Sequence, residues 1–393
     1  MKEMVFNFWQ YCHFGERDMK QAVQDWKDGG FNVATSFVLD PEMNSQDMVD
    51  LLDECQANDI KLILYDNRVA YAQLYRLGEE EYRKVVKEVV EQVGKHPAAY
   101  AFFLGDEPAH WIMETAKQAT KIVNELSPIP AFVNFNPVWR SKDFNALVGV
   151  DADEIESLYI PFVKESKMPW LAYDHYGAMV SRAEFKESGK NAYFYNLNKF
   201  YNMAKEAGVP LWTSLLCTKH WQYKLPTQDE MRWLASTAIA HGVQGIQWFM
   251  LYNGEKAWWE SPIDEYNERQ PSYYDLRRVN RQFRRKLGEL IPKLELEEVL
   301  HYGHFYGDTR PWADGYYDYL KVFRMKYAGD AIISRFRHKE TGKIWYMFVN
   351  ASMTDGNVLT YEFYDEYKHK NGGGPLEAGC FWFVELDEAK ENK

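Results

Sequence analysis

Over roughly the first 290 residues, short apolar runs alternate with stretches whose apolar residues recur at helical spacing. Strand candidates run from Val5 to Tyr11, Asn32 to Val38, Lys61 to Tyr65, Tyr100 to Leu104, Ala131 to Phe135, Trp170 to Tyr173, Leu211 to Leu216 and Gly245 to Leu251. Such near-continuous apolar runs mark strands buried on both faces, and their alternation with helices predicts parallel pairing through crossovers. Eight cycles predict an α/β fold, a closed (β/α)8 TIM barrel.

The helical stretches carry their own signals. Met48, Leu51, Leu52 and Cys55 form one stripe between Asp47 and Gln56, and Tyr82, Val85, Val86, Val89, Val90 and Val93 form another between Glu79 and Val93. Thr227 with Glu230 three residues on is a capping-box signature for a helix through Ala240, with Gly242 where it should stop.

From about Leu294 the pattern changes to β-rich segments: Tyr319 to Tyr327, Ala331 to Arg337, Ile344 to Asn350, Val358 to Phe363 and Cys380 to Leu386. Ala328-Gly329-Asp330 and Thr354-Asp355-Gly356-Asn357 read as hairpin connectors, and Asn371 to Pro375 as a loop. The expected division is therefore a barrel over residues 1–294 and a small antiparallel β-sandwich over 295–393 that braces it.

Composition narrows the partners. With 58 acidic and 46 basic residues the formal charge is -12, and no Lys/Arg cluster suggests a nucleic-acid track, so nucleic acid is not an expected partner. No apolar segment reaches the roughly 18 residues of a membrane span. The chain is expected to be soluble, either cytoplasmic or the mature part of a secreted or periplasmic protein, with its oligomeric state open. Cys12, Cys55, Cys217 and Cys380 are widely spaced and read as free thiols, neither a disulfide framework nor a zinc site, and no cofactor is implied. Aromatic residues make up 16% of the chain, with 14 Trp and 27 Tyr, many near strand ends. Amphipathic rings of this kind suit stacking on sugars, so carbohydrate is the expected partner.

The chemistry points to Tyr100-Ala101-Phe102-Phe103-Leu104-Gly105-Asp106-Glu107-Pro108, an apolar strand that runs into two carboxylates. Active sites of β/α barrels lie where strands end. Breaking a glycosidic bond requires a proton on the leaving oxygen, usually from a carboxylic acid of raised pKa, and an apolar strand end beside a second carboxylate raises it. Capping of the next helix by Asp106 and Glu107, with Pro108 at its first position, would need only one of them. Glu107 is the candidate general acid.

A fourth barrel strand that ends in an acidic dyad followed by proline resembles the Asn-Glu-Pro signature of the large clan of retaining (β/α)8 glycoside hydrolases. The resemblance implies that Glu107 is acid/base and that Asp106 stands where that clan has its Asn. It also implies a nucleophilic Glu at the end of the seventh strand, but Pro210-Leu211-Trp212-Thr213-Ser214-Leu215-Leu216-Cys217 has no carboxylate, and the expected place falls near Leu215. Two alternatives arise. Asp174, in Tyr173-Asp174-His175-Tyr176-Gly177 at the end of strand six, supplies the second carboxylate, with Asp66, Glu16 and Glu255 behind it. Otherwise the substrate supplies its own nucleophile: the Gly-Asp-Glu triplet is similar to the fourth-strand motif of hexosaminidases acting on 2-acetamido sugars, which implies that Asp106 orients the acetamido group. The Tyr-Asp of strand six resembles an element of chitinase-like barrels.

Around these, Trp248 is expected to floor the sugar site and Trp258 and Trp259 to extend it. His175, Tyr176, His220 and Trp221 are expected to bind ligand, and Asn134, Asn136, His13 and Glu16 to read hydroxyls. Asp66 adds a charge unless Arg68 neutralises it. Rival expectations are a catalytically silent carbohydrate-binding barrel and a metal-dependent barrel hydrolase or isomerase using His13, His175 and His220.

Overall fold

A computed structural model describes residues 2–139, 141–252, 259–315, 319–364 and 371–386. Eight parallel strands occupy one sheet: β1 Val5–Phe8, β2 Val33–Thr35, β3 Lys61–Leu64, β4 Ala99–Asp106, β5 Ala131–Phe135, β6 Leu171–Asp174, β7 Leu211–Leu216 and β8 Val243–Phe249. From β2 to β8 each strand pairs with its sequence neighbour, and β1 pairs with β8, which curls the sheet into the expected barrel with its seam between β1 and β2. Between β1 and β2 side chains help bridge the gap: Thr35 Oγ1 donates to Asn7 Oδ1 at 3.2 Å, and Asn32 makes three bonds. Asn32 accepts from Phe6 N at 2.8 Å, donates its amide to Met4 O at 2.9 Å, and donates its backbone N–H to Phe6 O at 3.3 Å.

Large rings fill the barrel at the end remote from the carboxylates. Trp170 and Trp212 stack 3.9 Å apart, with Tyr100 against Trp170 at 5.8 Å. Gly245 makes room for them, since a Cβ there would lie 2.5 Å from the Trp212 ring. Outside the strands, the stripe from Glu79 to Val93 is an α-helix over Glu79–Val89 followed by one π-helical turn over Val90–Gly94. The capping box of Thr227 and Glu230 is present on the helix Gln228–Ala240. Among the described residues no helix is long and apolar enough to cross a membrane.

Beyond the barrel come β9 Leu294–Tyr302, β10 Arg310–Pro311, β11 Leu320–Met325, β12 Ala331–His338, β13 Ile344–Asn350, β14 Asn357–Phe363, β15 Gly372–Leu376 and β16 Phe381–Leu386. They form a five-stranded sheet, β10-β9-β12-β13-β16, and a three-stranded sheet, β11-β14-β15. The pairing is antiparallel except between β10 and β9. Strand β15 corrects the expected loop over Asn371 to Pro375: its glycines pair with β14, and Gly372 fits because it lacks a Cβ, which would meet the Tyr361 hydroxyl at 2.3 Å. Phe323, Phe348, Leu359 and Phe363 fill the space between the sheets.

Alternation along the strands gives the five-stranded sheet a second apolar face. Ile332, Phe336, Met347 and Val349 join the barrel core, while Ile333, Tyr346 and Phe348 point the other way. Hydrogen bonds fix the contact: Ser334 Oγ donates to Ala240 O at 2.7 Å, Trp233 Nε1 to Ala351 O at 2.8 Å, and Tyr201 Oη to Leu296 O at 2.6 Å.

A buried histidine pair lies in this contact. His241 Nδ1 is 2.8 Å from Thr237 O, which can only accept, and in a neutral His241 ring that leaves Nε2 to accept from His301 Nε2–H at 3.3 Å. Burial lowers His241 to about 4 and holds His301 well below the ordinary value, with His241 adding to the effect. Below about pH 6.5 the unfolded chain binds protons that these rings refuse, so their contribution to stability falls as pH drops from there toward 4. His301→Gln is expected to flatten that part of the profile of unfolding midpoint against pH.

Candidate active site

The site begins with a register change in β4. Phe103 pairs with Phe132 of β5, but the next pair is Asp106 with Asn134, so three residues of β4 span two of β5. This is a β-bulge, which turns a side chain that simple alternation would send to the helix layer into the barrel mouth. Gly105 makes it possible. Its φ is +144°, and an added Cβ would lie 2.3 Å from the Tyr71 ring, whose hydroxyl donates to Asp106 O at 3.0 Å. Glu107 follows with φ +41°, its N–H donating to Asn134 O at 2.8 Å. We expect Gly105→Ala to lower stability by about 1–3 kcal/mol, and Tyr71→Ala to recover part of that loss in the double variant, as read by thermal unfolding.

Asn134 ties two strands together. Its single Nδ2 donates to Asp106 Oδ1 at 3.0 Å and to Asp174 Oδ1 at 2.8 Å, so those two oxygens stand within about 6 Å of each other. Glu107 completes a group of three acids. Burial is the main cause of every shift here: it raises Asp106 to about 6 against the opposing bond from Asn134, and Asp174 to about 7 with Asp106 adding to the effect. Glu107 is pushed furthest, to about 9, by burial and then by the charges of Asp174 and Asp106. At neutral pH Glu107 holds its proton, which is the state a general acid needs.

Aromatic rings surround the acids. Tyr176 packs 5.2 Å from Phe249 and 5.8 Å from both His220 and Tyr223, and His220 is 5.3 Å from Trp259. Burial and then Asp174 hold the Tyr176 phenol well above its ordinary value. Tyr11, Tyr65 and Tyr71 are each raised by burial and then by the charge of Asp106. Asn136, two residues along β5 from Asn134, is buried with neither amide atom hydrogen-bonded, and His220 Nδ1 is likewise buried without a partner. These atoms hold unused hydrogen-bonding capacity beside the acids.

Sequence reasoning thus brought together Asp106, Glu107, Asp174, Asn134, Tyr176 and His220, with Asn136 on the same strand. Several other candidates lie elsewhere. Trp248 is 0% exposed and donates to Asn280 Oδ1 of the helix Pro271–Leu287 at 2.8 Å, so it packs the helix layer and floors nothing. His175 also faces the helices: it packs against Gly177, whose N–H it accepts at 3.3 Å, and lies 6.5 Å from Tyr193. Asp66 is buried and bound to Arg68, with Arg68 Nη2 at 2.6 Å, which makes it a structural pair. Glu16 is exposed and accepts from His13 N at 2.9 Å, while His13 pairs with Asp40 at 2.7 Å. His13, His175 and His220 therefore do not converge, and among the described residues no group of three or more His, Cys, Asp or Glu side chains is placed to hold a metal. Glu255 and Trp258 lie outside the described residues. Tyr11, Tyr65, Tyr71 and Phe249 were missed, although Tyr11 follows Trp9 at strand spacing and Tyr65 closes the third apolar run.

The fold is similar to that of a solved glycoside hydrolase at 10% identity and a TM-score of 0.56, over 99% of this chain and 93% of that one. It is also similar to a family 5 glycoside hydrolase from Bacteroides vulgatus, at 9% identity and a TM-score of 0.55, over 99% and 90% of the two chains. A β-galactosidase from the psychrophilic Marinomonas ef1 matches at 12% identity and a TM-score of 0.53, over 71% of this chain and 59% of its own, so this chain spans about three fifths of that protein. No protein-family model and no curated protein matches the sequence. At such identities the likeness is one of architecture: the chain shares its barrel and the sheets that follow with glycoside hydrolases.

Proposed function

We propose that the protein is a glycoside hydrolase in which Glu107 protonates the leaving oxygen and Asp174 is the second carboxylate. The observation that carries this is the gathering of three acids, Asp106, Glu107 and Asp174, at the ends of β4 and β6, with Asn134 bound to two of them and burial raising the Glu107 carboxyl. As the C1–O bond breaks, its electron pair leaves on the glycosidic oxygen, which takes the Glu107 proton. Asp174, oriented by Asn134, faces the oxocarbenium-like carbon and either adds to it or deprotonates the attacking water. Asp106 takes a sugar hydroxyl through its remaining lone pairs. A panel of aryl glycosides tests this. Hydrolysis of at least one, with the product anomer followed by proton NMR, is expected, and binding without hydrolysis across the panel would favour a silent carbohydrate-binding barrel.

One observation favours a second reading, in which the substrate's 2-acetamido oxygen attacks and Asp106 orients it. Strand β7 offers Ser214 and Leu215 where a nucleophile would stand, and Asp106 is already fixed beside the acid by Asn134. That reading requires turnover of an aryl N-acetylglucosaminide in preference to the glucoside, and inhibition by a thiazoline analogue.

A further inference from the structure

Resting on the glycosidase reading, we infer that the substrate is an extended glycan lying across the barrel mouth, gripped on both sides of the carboxylates by aromatic platforms. Trp111 and Trp139 form one side, and Trp221 and Trp259 the other. The argument starts from strand order. In an eight-stranded barrel, β4 and β8 are four strands apart and so face each other across the mouth. Trp111 lies in the first turn of the helix His110–Leu126 that follows β4, and Trp139 just beyond β5. Trp221 lies beyond β7 and Trp259 beyond β8.

These rings are costly to leave in water. Trp111 is 70% exposed, Trp221 72% and Trp139 41%, although burying such a ring is among the larger gains open to a folding chain. Both sides are held in place. His110, next to Trp111, fits against Gly149, and Trp139 packs 6.4 Å from Phe144, both on or beside the helix Lys142–Val148. Across the mouth, Trp221 is fixed at φ +46° and meets Trp259 at 6.4 Å and His220 at 5.5 Å. His220 continues through Phe249 and Tyr176 to the strand that bears Asp174, so this platform is continuous with the site. A single sugar over Glu107 would not span both arms, which follow strands on opposite sides of the mouth. A chain with residues on both sides of the scissile bond reaches both, which implies cleavage within the chain.

The test uses Glu107→Gln, which keeps the shape, and measures the affinity of cello-, xylo-, manno- and chito-hexaose and their disaccharides by tryptophan fluorescence and calorimetry. At least one hexasaccharide is expected to bind at least tenfold tighter than its disaccharide. Trp111→Ala and Trp221→Ala, added singly, should each erase about tenfold of that gain, with Trp111→Phe retaining part of it. The wild-type protein should cut that hexasaccharide at an internal bond. Equal affinity for hexa- and disaccharide, no binding by any of the four, affinities unmoved by both Trp variants, or release of terminal monosaccharide alone would overturn the inference. Chain-length-dependent binding without hydrolysis by the wild type would instead sink the glycosidase reading and leave the groove standing.

Discussion

Glu107→Gln is expected to lower kcat by about 10²–10⁴-fold on substrates with poor leaving groups while glycoside binding persists. The amide keeps the side-chain volume and the N–H bond to Asn134 O, so the bulge and its neighbours remain. What it loses is the transferable proton. The wild-type profile of kcat/KM against pH should be bell-shaped. Its acid limb appears as pH falls through the raised pKa of Asp174, because protonation removes the second carboxylate, and its basic limb appears as pH rises through that of Glu107, because ionisation removes the donor. In the Gln variant the basic limb should disappear, and an activated aryl glycoside, whose leaving group needs no proton, should lose far less rate than an alkyl one. Equal loss on both leaving groups would point to a structural role.

Asp174→Asn is expected to abolish turnover and to make the protein more stable. Both effects come from one cause. Asp174 is raised above its unfolded value, so its contribution to stability is fully present below about pH 4 and is lost as pH rises through the folded value, where a buried acid must ionise beside Asp106. An Asn avoids that cost and still accepts from Asn134 Nδ2. At pH 8 the variant should therefore be more stable by on the order of 2 kcal/mol, visible as a higher unfolding midpoint, with the gain shrinking toward pH 4. A variant that is less stable at pH 8 would show that Asp174 holds the strands together, and its part in the chemistry would need another argument.

The barrel was legible because its strands are buried on both faces and read as unbroken apolar runs between capped helices. The same property hid which way each side chain points. In the run Gly245-Ile246-Gln247-Trp248-Phe249 the one polar residue, Gln247, shares its face with Phe249, yet Trp248 is expected at the mouth when it packs against Asn280, and Phe249, in contact with Tyr176 and His220, is overlooked. His175 was misassigned for the same reason, one residue out of phase with Asp174. The acidic dyad was visible as a motif, but its geometry was not, because the bulge at Gly105 exists only in the pairing of β4 with β5. Asp66 shows the opposite case. Its neighbour Arg68 was in plain view two residues away, and the short-range pair prevailed. In the second module, Gly372 to Gly374 looked like turn chemistry, yet pairing with β14 beneath Tyr361 and Trp382 outweighed local preference.

The central claim is that the fold stores a proton on Glu107. Carbon-13 NMR of protein labelled at glutamate carboxyls, with Glu107→Gln to assign the resonance, measures it directly. The account predicts a Glu107 carboxyl still protonated at pH 7 and titrating near pH 9, moving toward the ordinary value when Asp174 is replaced by Asn. A Glu107 resonance already ionised at pH 7, titrating near the usual value of about 4.3, would contradict it.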